Sequence, residues 1–437
     1  MTLLIIIAAI AVQIFLTIKK VSPVLSLLLV SIFAGLCLGL SPDALLKSIE
    51  KGAGSTLGSV VLVICLGAML GRLLEVTGAA ERIAQTLIHA FGEKYIQWAI
   101  LLTGLLIGIP LYYNAGFIIL VPLVFMLSRK TGLPLLYIAI PMAASLSTTH
   151  CFLPPHPGPS TLAGIFHADT GKTLLYGLAI AIPAVIIAGP LMGARLKKIG
   201  DNAIENLVPT EKNTPAILPP AIPSFLLALL PVVLITVGVL AENFLEDGLL
   251  KKSLLFTGNS TIALLLAVLA ALIYFSLRNI TPMEEQVKRL HEAITGVAVI
   301  LLIITAGGVF KQVLDDSGAD EYISSFSKAW HMPPLIFAWM VTALLRVTIG
   351  SATVAAITAA GVVSPLLAAG TVSPELMVLA VGSGSVFGSH VNDTGFWMFK
   401  EFFQLSLRQT FLSWTVMETI ISITGLAGVL LLNLLVG

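Results

Sequence analysis

Charged side chains are scarce in this chain: 24 Lys and Arg stand against 23 Asp and Glu, only 11% of 437 residues. A soluble domain carries about 25%, so most of this sequence is not built to face water. The formal charge of +1 leaves no basic face for a nucleic acid. Cysteine is equally sparse. Cys37, Cys65 and Cys151 fall in apolar segments without ligand spacing, which reads as small hydrophobes in helix packing, so neither a metal nor another cofactor is expected. There is no G-x-x-x-x-G-K-[ST] loop and no HExxH motif, which argues against ATP drive and zinc hydrolysis. A hydrolase built on His150 or His390 would lack a nucleophile–base pair, so the chain is not read as an enzyme. No segment alternates like an outer-membrane strand. Residues 3–18 lack the basic start and small-residue cleavage site of a signal peptide, and are read as a retained helix before Lys19 and Lys20.

What the chain has in excess is apolar sequence, 57% of residues with a mean hydropathy of +1.00. Crossing a bilayer takes about 20 apolar residues per helix, and the expected class is an all-α polytopic membrane protein. Ordinary spans are expected at 3–18, 24–40, 57–74, 174–192, 224–240, 253–277, 296–314 and 411–436. The remaining histidines, His89, His167, His291 and His331, are assigned to solvated loops. Blocks 95–171 and 333–407 are too long for one span and too interrupted for clean ones. Each is either one crossing plus a re-entrant hairpin or two broken crossings, and hydropathy alone does not choose. Placing Lys19, Lys20, the 72–94 loop, Arg195 and the Arg278–Arg289 loop in the cytoplasm requires one crossing plus one hairpin in the first block. The acidic DDSGADE loop at 315–321 then faces out.

An internal repeat underlies this layout. GAMLGRLLEVTGAAERI (67–83) and GGVFKQVLDDSGADEYI (307–323) align at an offset of 240 residues (307 − 67). The same offset sets Pro42 on Pro282, Pro134 on Pro374 and His150 on His390. Two homologous membrane repeats, 20–196 and 252–437, are therefore expected in opposite orientation. Outside them lie an extra N-terminal helix (1–19), a polar Pro-rich cytoplasmic linker (197–223) and an additional helix with an outer loop (224–251).

Four interrupted polar stretches, two per repeat, carry the candidate chemistry: GIPLYYNAG (108–116), SLSTTHCFLPPHPGPS (145–160), TIGSATVAAITAAG (348–361) and GSGSVFGSHVNDTG (382–395). Gly-broken backbone at membrane depth survives only inside protein or lining a wet cavity, because unsatisfied peptide groups cost several kcal/mol in hydrocarbon. Broken helices present N–H groups that hold an anion, while hydroxyls and amides read the rest of it. The stretches are rich in Ser, Thr, Asn and Tyr and nearly devoid of fixed cations, which suits a small hydroxylated monoanion. Arg346, at one end of a span, is read as snorkelling to the interface. His150, His156, His390 and Asp393 are the ionisable groups at depth. Glu418, in the last helix, is read as a packed hydrogen-bonded group.

These stretches resemble the gluconate permease family of proton symporters, within the wider ion-transporter superfamily. The resemblance runs over essentially the full chain. It is carried by IEKGAGSTLGS, THCFLPPHPGP, DTGKTLLYG, GGVFKQVLDDSG, GSATVAAITAAG and GSHVNDTGFWMFKEFF. It implies proton-coupled uptake of gluconate or a related sugar acid across the bacterial inner membrane, by two inverted repeats with re-entrant hairpins, an elevator-type movement and a homodimer. On that basis the carboxylate is expected near Ser147, Thr148, Thr149, Ser351 and Thr353. The hydroxyls are expected near Asn114, Ser389 and Asn392, with Tyr113 and His150 also in the binding site, and the proton on His150, His390 or Asp393. One departure stands out. In relatives associated with gluconate, an acidic residue often follows the aromatic pair that resembles Tyr112 and Tyr113, where this chain has Asn114. Coupling then lies elsewhere, or the substrate is another small hydroxy or amino acid such as glycerate or D-serine. Sodium coupling through unwound carbonyls and Asp393 is the further alternative.

Overall fold

The computed structural model describes residues 2–19, 21–196, 218–278, 280–318 and 332–436, and every regular element among them is helical. Among the described residues, seven helical segments are long and apolar enough to cross a membrane, and shorter apolar helices accompany them. The protein is an all-helical, multi-pass membrane protein. Most of the expected linker (197–217) and part of the 315–321 loop, with His331, lie outside the described residues.

Helix starts follow from short cap signatures. Ser41-Pro42-Asp43 opens a helix at Pro42: the Ser41 hydroxyl accepts from the Ala44 N–H at 3.3 Å, Pro occupies the first turn, and Asp43 meets the positive helix end. Ser373-Pro374-Glu375 repeats the device, with Ser373 accepting from the Leu376 N–H at 3.2 Å. Asp169 caps the Thr170–Ile186 helix through the Lys172 N–H at 2.6 Å.

Two long helices, Pro42–Val76 and Met283–Asp316, pack against each other. Small residues let their backbones meet: a Cβ on Gly52 would stand 2.7 Å from the Gly308 carbonyl. Both helices begin well before the apolar stretches expected at 57–74 and 296–314. Their polar first turns are continuous with the span, the first capped by Ser41 and the second opening after Pro282 without a side-chain cap, so hydropathy underestimates them. For the same reason the expected 72–94 loop is in fact the end of one helix followed by another, Ala79–Phe91, and His89 and His291 are exposed helical residues rather than loop residues.

The most buried candidate span is Leu135–Phe166, with 89% of its apolar window inside the protein. It is interrupted between the Leu135–Phe152 and Pro157–Phe166 helices. Three more breaks separate Ile96–Gly108 from Tyr113–Thr131, Pro334–Ile349 from Ala352–Val363, and Pro374–Gly384 from Thr394–Phe402. The four polar stretches of the sequence coincide with these four breaks. Packing gathers them: Pro157–Phe166 touches Pro374–Gly384, Ala352–Val363 and the long Pro42–Val76 helix, while the last helix, Val416–Val436, rests on Thr170–Ile186 and Pro374–Gly384.

Candidate functional site

The second-half break is built around a buried ion pair. Gly350 ends the Pro334–Ile349 helix in the left-handed region (φ +85) and turns the chain so that the Arg346 guanidinium donates to the Gly350 carbonyl. Its other terminal nitrogen donates to the Asp393 carboxylate, 47 residues on. Arg346 is only 3% exposed. It therefore does not snorkel to the interface: the fold-back at Gly350 supplies a carboxylate and a carbonyl inside the protein, which removes the reason to reach for water. Asp393 also caps the Thr394–Phe402 helix through the Gly395 N–H at 2.9 Å and accepts from the Ser389 hydroxyl. Ser389 in turn accepts from the Trp414 indole at 2.7 Å, and its carbonyl accepts from Thr415 at 2.6 Å. The Trp414 ring meets Tyr113 edge-on at 5.8 Å.

A second polar cluster lies in the first half. His156 holds the carbonyl of Gly108, the last residue of the Ile96–Gly108 helix, at 2.6 Å through Nε2. That contact satisfies a helix-end carbonyl that has no partner in its own helix. His150 packs T-shaped on His156 at 5.1 Å, and Tyr112 leans on the other side at 5.9 Å. Ser147 donates to the Glu418 carboxyl at 2.9 Å.

The halves meet at a cavity of about 10 Å³, room for a single water-sized guest. His150, Thr353 and Ser385 line it, together with the opening residues of two helices, Gly158 and Pro159 of Pro157–Phe166 and Ala352 and Thr353 of Ala352–Val363. Contact between the halves is close, since a Cβ on Gly382 would lie 2.5 Å from the Cys151 carbonyl. Of the side chains lining the cavity, His150 has an Nδ1 without a hydrogen-bond partner among the described residues, and elsewhere in the protein interior the hydroxyls of Tyr113, Thr148, Ser160 and Thr358 and His156 Nδ1 are likewise unpartnered. Buried polar atoms are ordinarily satisfied, so the unmet His150 Nδ1 at the cavity wall suits a polar guest.

Comparison with known proteins gives this arrangement a lineage. The sequence profile described as GntP family permease matches residues 1–435. The chain belongs to the GntP permease family. Among its relatives is a high-affinity gluconate transporter of Escherichia coli K12, 47% identical over 95% of either chain. The Gnt-II system L-idonate transporter of the same strain is 45% identical over 99% of either chain. Among solved structures, the YdaH transporter of Alcanivorax borkumensis shares the fold, with a TM-score of 0.68 over 98% of each chain at 18% identity. The chain is a permease and not an enzyme.

The permease's anticipated site residues are not all in one place. His150 and Thr353 share the cavity, Ser147 and Thr148 stand buried one turn before it, and Ser389 belongs to the ion-pair network. Thr149 donates to the Leu146 carbonyl of its own helix, and Ser351 caps the Val354 N–H. Asn114 is exposed. Asn392 is exposed as well, its amide closing the Pro334–Ile349 helix on the Val347 and Thr348 carbonyls at 2.8 and 3.3 Å. His390 is half-buried and accepts from the Asn392 N–H at 3.4 Å. Two participants were not anticipated in their roles, Arg346 as a buried cation and Trp414 as the donor that orients Ser389, while Glu418 is the packed, hydrogen-bonded group expected, held by Ser147. A sequence signal existed for the last, the lone acid of a 30-residue apolar segment.

His156 offers a first test. Replacing it with Ala leaves the buried Gly108 carbonyl unsatisfied, which costs about 1–3 kcal/mol. The purified His156→Ala protein is expected to melt several degrees lower than wild type, whereas His156→Gln, which keeps a donor, recovers part of the loss. Equal melting temperatures for Ala and Gln would show that the hydrogen bond contributes nothing.

Proposed function

We propose that this permease takes gluconate or a closely similar aldonate into the bacterial cytoplasm together with protons, across the inner membrane. The observation that carries the reading is the convergence of two helix starts, beside His150 and Ser385, on one cavity between the halves. Helix starts favour a carboxylate through the positive end of the dipole, about half a positive charge each. Pro157 and Pro159 carry no N–H and Ser351 caps the Val354 N–H, so the donors available here are those of Gly158, Ala352 and Thr353. Arg346 is already neutralised by Asp393, so the carboxylate would rest on dipoles and hydroxyls rather than on a free cation. The unpartnered hydroxyls of Thr148, Ser160 and Thr358 suit a polyhydroxylated chain. The names of the relatives point to the same substrate class.

In this reading, 20–196 and 252–437 are repeats of opposite orientation, each with a broken crossing and a re-entrant hairpin. Supporting it, the Pro42–Val76 and Met283–Asp316 helices begin at positions related by the 240-residue offset to within a residue, and the breaks recur in the same order. A cavity this small does not admit a six-carbon acid, so the broken helices must part from each other or slide as a body against the long pair, as an elevator would. Two copies in a dimer would give such a movement a fixed frame.

The decisive assay is uptake of labelled gluconate into proteoliposomes under an inward proton gradient, with L-idonate, 2-keto sugar acids, glycerate and D-serine as unlabelled competitors. Accumulation abolished by a protonophore and competed only by sugar acids is expected. L-Idonate is the one competitor that would rival gluconate, given the 45% identical relative. Uptake that follows a sodium gradient at high pH, or that yields to glycerate or D-serine alone, overturns the proposal.

A further inference from the structure

We infer that Glu418 is the residue that carries the coupled proton, a role that rests on the proton-coupled reading above and moves it away from His150, His390 and Asp393. Glu418 is 1% exposed in the helix Val416–Val436. Its Oε2 accepts the Ser147 hydroxyl at 2.9 Å, and its Oε1 has no partner among the described residues. Arg346, the buried cation close enough to act on it, is committed to Asp393 and the Gly350 carbonyl. A carboxylate in that position would be a desolvated charge without a contacting counter-ion. A bound proton removes that penalty.

Two of the alternatives, Asp393 and His156, are engaged by their own partners, whereas His150, with Nδ1 unpartnered among the described residues, is the rival that the test must separate. Asp393 receives Arg346, Ser389 and the Gly395 N–H at once, so protonating it breaks an existing network. His156 is occupied on Gly108. Other ionisable groups within electrostatic reach of Glu418 are Tyr113, Cys151, Arg346 and Asp393. The last two neutralise each other, which leaves Glu418 as the group free to change charge.

Its position also links the proton to the substrate. Ser147 lies one turn before His150 on the broken helix that borders the cavity. Glu418 lies one turn after Trp414, which holds Ser389. Any movement that parts the two halves separates Ser147 from Glu418 and admits water to the carboxyl. Facing outward, the carboxylate takes H⁺ from external water and becomes the neutral acid. Facing inward, the acid returns H⁺ to cytoplasmic water and becomes the carboxylate again, and no bond of the substrate changes.

The test uses full-length protein in proteoliposomes loaded with a pH-sensitive dye. In wild type, entry of gluconate acidifies the lumen and exchange across a gradient-free membrane depends on pH. In Glu418→Gln, gluconate–gluconate exchange is expected to persist and become independent of pH, while lumen acidification and uphill accumulation are lost. Glu418→Asp keeps a titratable group one methylene shorter. It is expected to retain accumulation with a displaced pH optimum, and this variant decides the matter should the Gln protein fail to fold. Acidification in Glu418→Gln equal to wild type overturns the assignment while leaving proton coupling intact, as does a Glu418→Asp pH profile that coincides with wild type. Gluconate entry without acidification in wild type itself removes the proton-coupled reading, and this inference with it.

Discussion

Asp393→Ala is expected to abolish uptake and to destabilise the permease by about 3–5 kcal/mol, the usual cost of removing one partner from a buried ion pair. The loss arises mainly from what remains. Arg346, 3% exposed, keeps its charge and is left with the Gly350 carbonyl alone, its Nε already without a partner. The same change deprives the Gly395 N–H of its cap, worth about 1 kcal/mol, and the Ser389 hydroxyl of its acceptor. Ser389 is also where Trp414 and Thr415 attach the last helix to this break, so the disturbance reaches the element that bears Glu418. Thermal unfolding of purified Asp393→Ala, Arg346→Met and Arg346→Met/Asp393→Ala proteins measures this directly. The double variant, with no buried charge left over, is expected to be more stable than either single one. A double variant as unstable as the sum of the singles would mean that the two charges do not interact, contrary to their contact here.

Legibility in the sequence divides along a physical line. Hydropathy and turn chemistry are local and were readable: the Gly- and Pro-containing stretches around Gly350 and around Pro154 with Pro155 mark breaks. The helix ends were less so. The polar turns before residue 57 and before residue 296 continue into the spans, and an apolar window cannot see them. Partnerships across the fold were not readable at all. Arg346 meets Asp393 only because Gly350 reverses the chain, and Ser147 meets Glu418 over a separation of 271 residues. A lone polar residue in an apolar segment announces that a partner exists and says nothing of which one. Asn392 shows the converse: its amide closes a helix by holding the Val347 and Thr348 carbonyls, a structural duty that its position in a polar stretch concealed.

Gly350→Ala is the substitution expected to do the most damage for the fewest atoms. Gly350 adopts φ +85, where a residue with a Cβ pays about 1–2 kcal/mol. The added methyl would also run into the Asn392 backbone carbonyl, and forcing atoms into a packed site costs about 1–3 kcal/mol more. The Gly350 carbonyl receives Arg346, and the neighbouring Asn392 closes the helix that carries Arg346. Separating Gly350 from Asn392 therefore moves the guanidinium away from Asp393 and opens the ion pair indirectly. Gly370 provides the control, since it has φ +63 but nothing within 4 Å of its would-be Cβ. Gly370→Ala should show the backbone strain alone, about 1–2 kcal/mol, with transport retained. Gly58, helical and equally open, should tolerate Ala or gain up to about 1 kcal/mol. Melting temperature and exchange rate measured side by side separate the terms: strain lowers the first in Gly350→Ala and Gly370→Ala alike, whereas loss of exchange in Gly350→Ala alone identifies the contact between the two breaks as the part that transport requires. Equal exchange in the two variants would instead mean that the ion pair tolerates a displaced Gly350, and that the turn serves stability only.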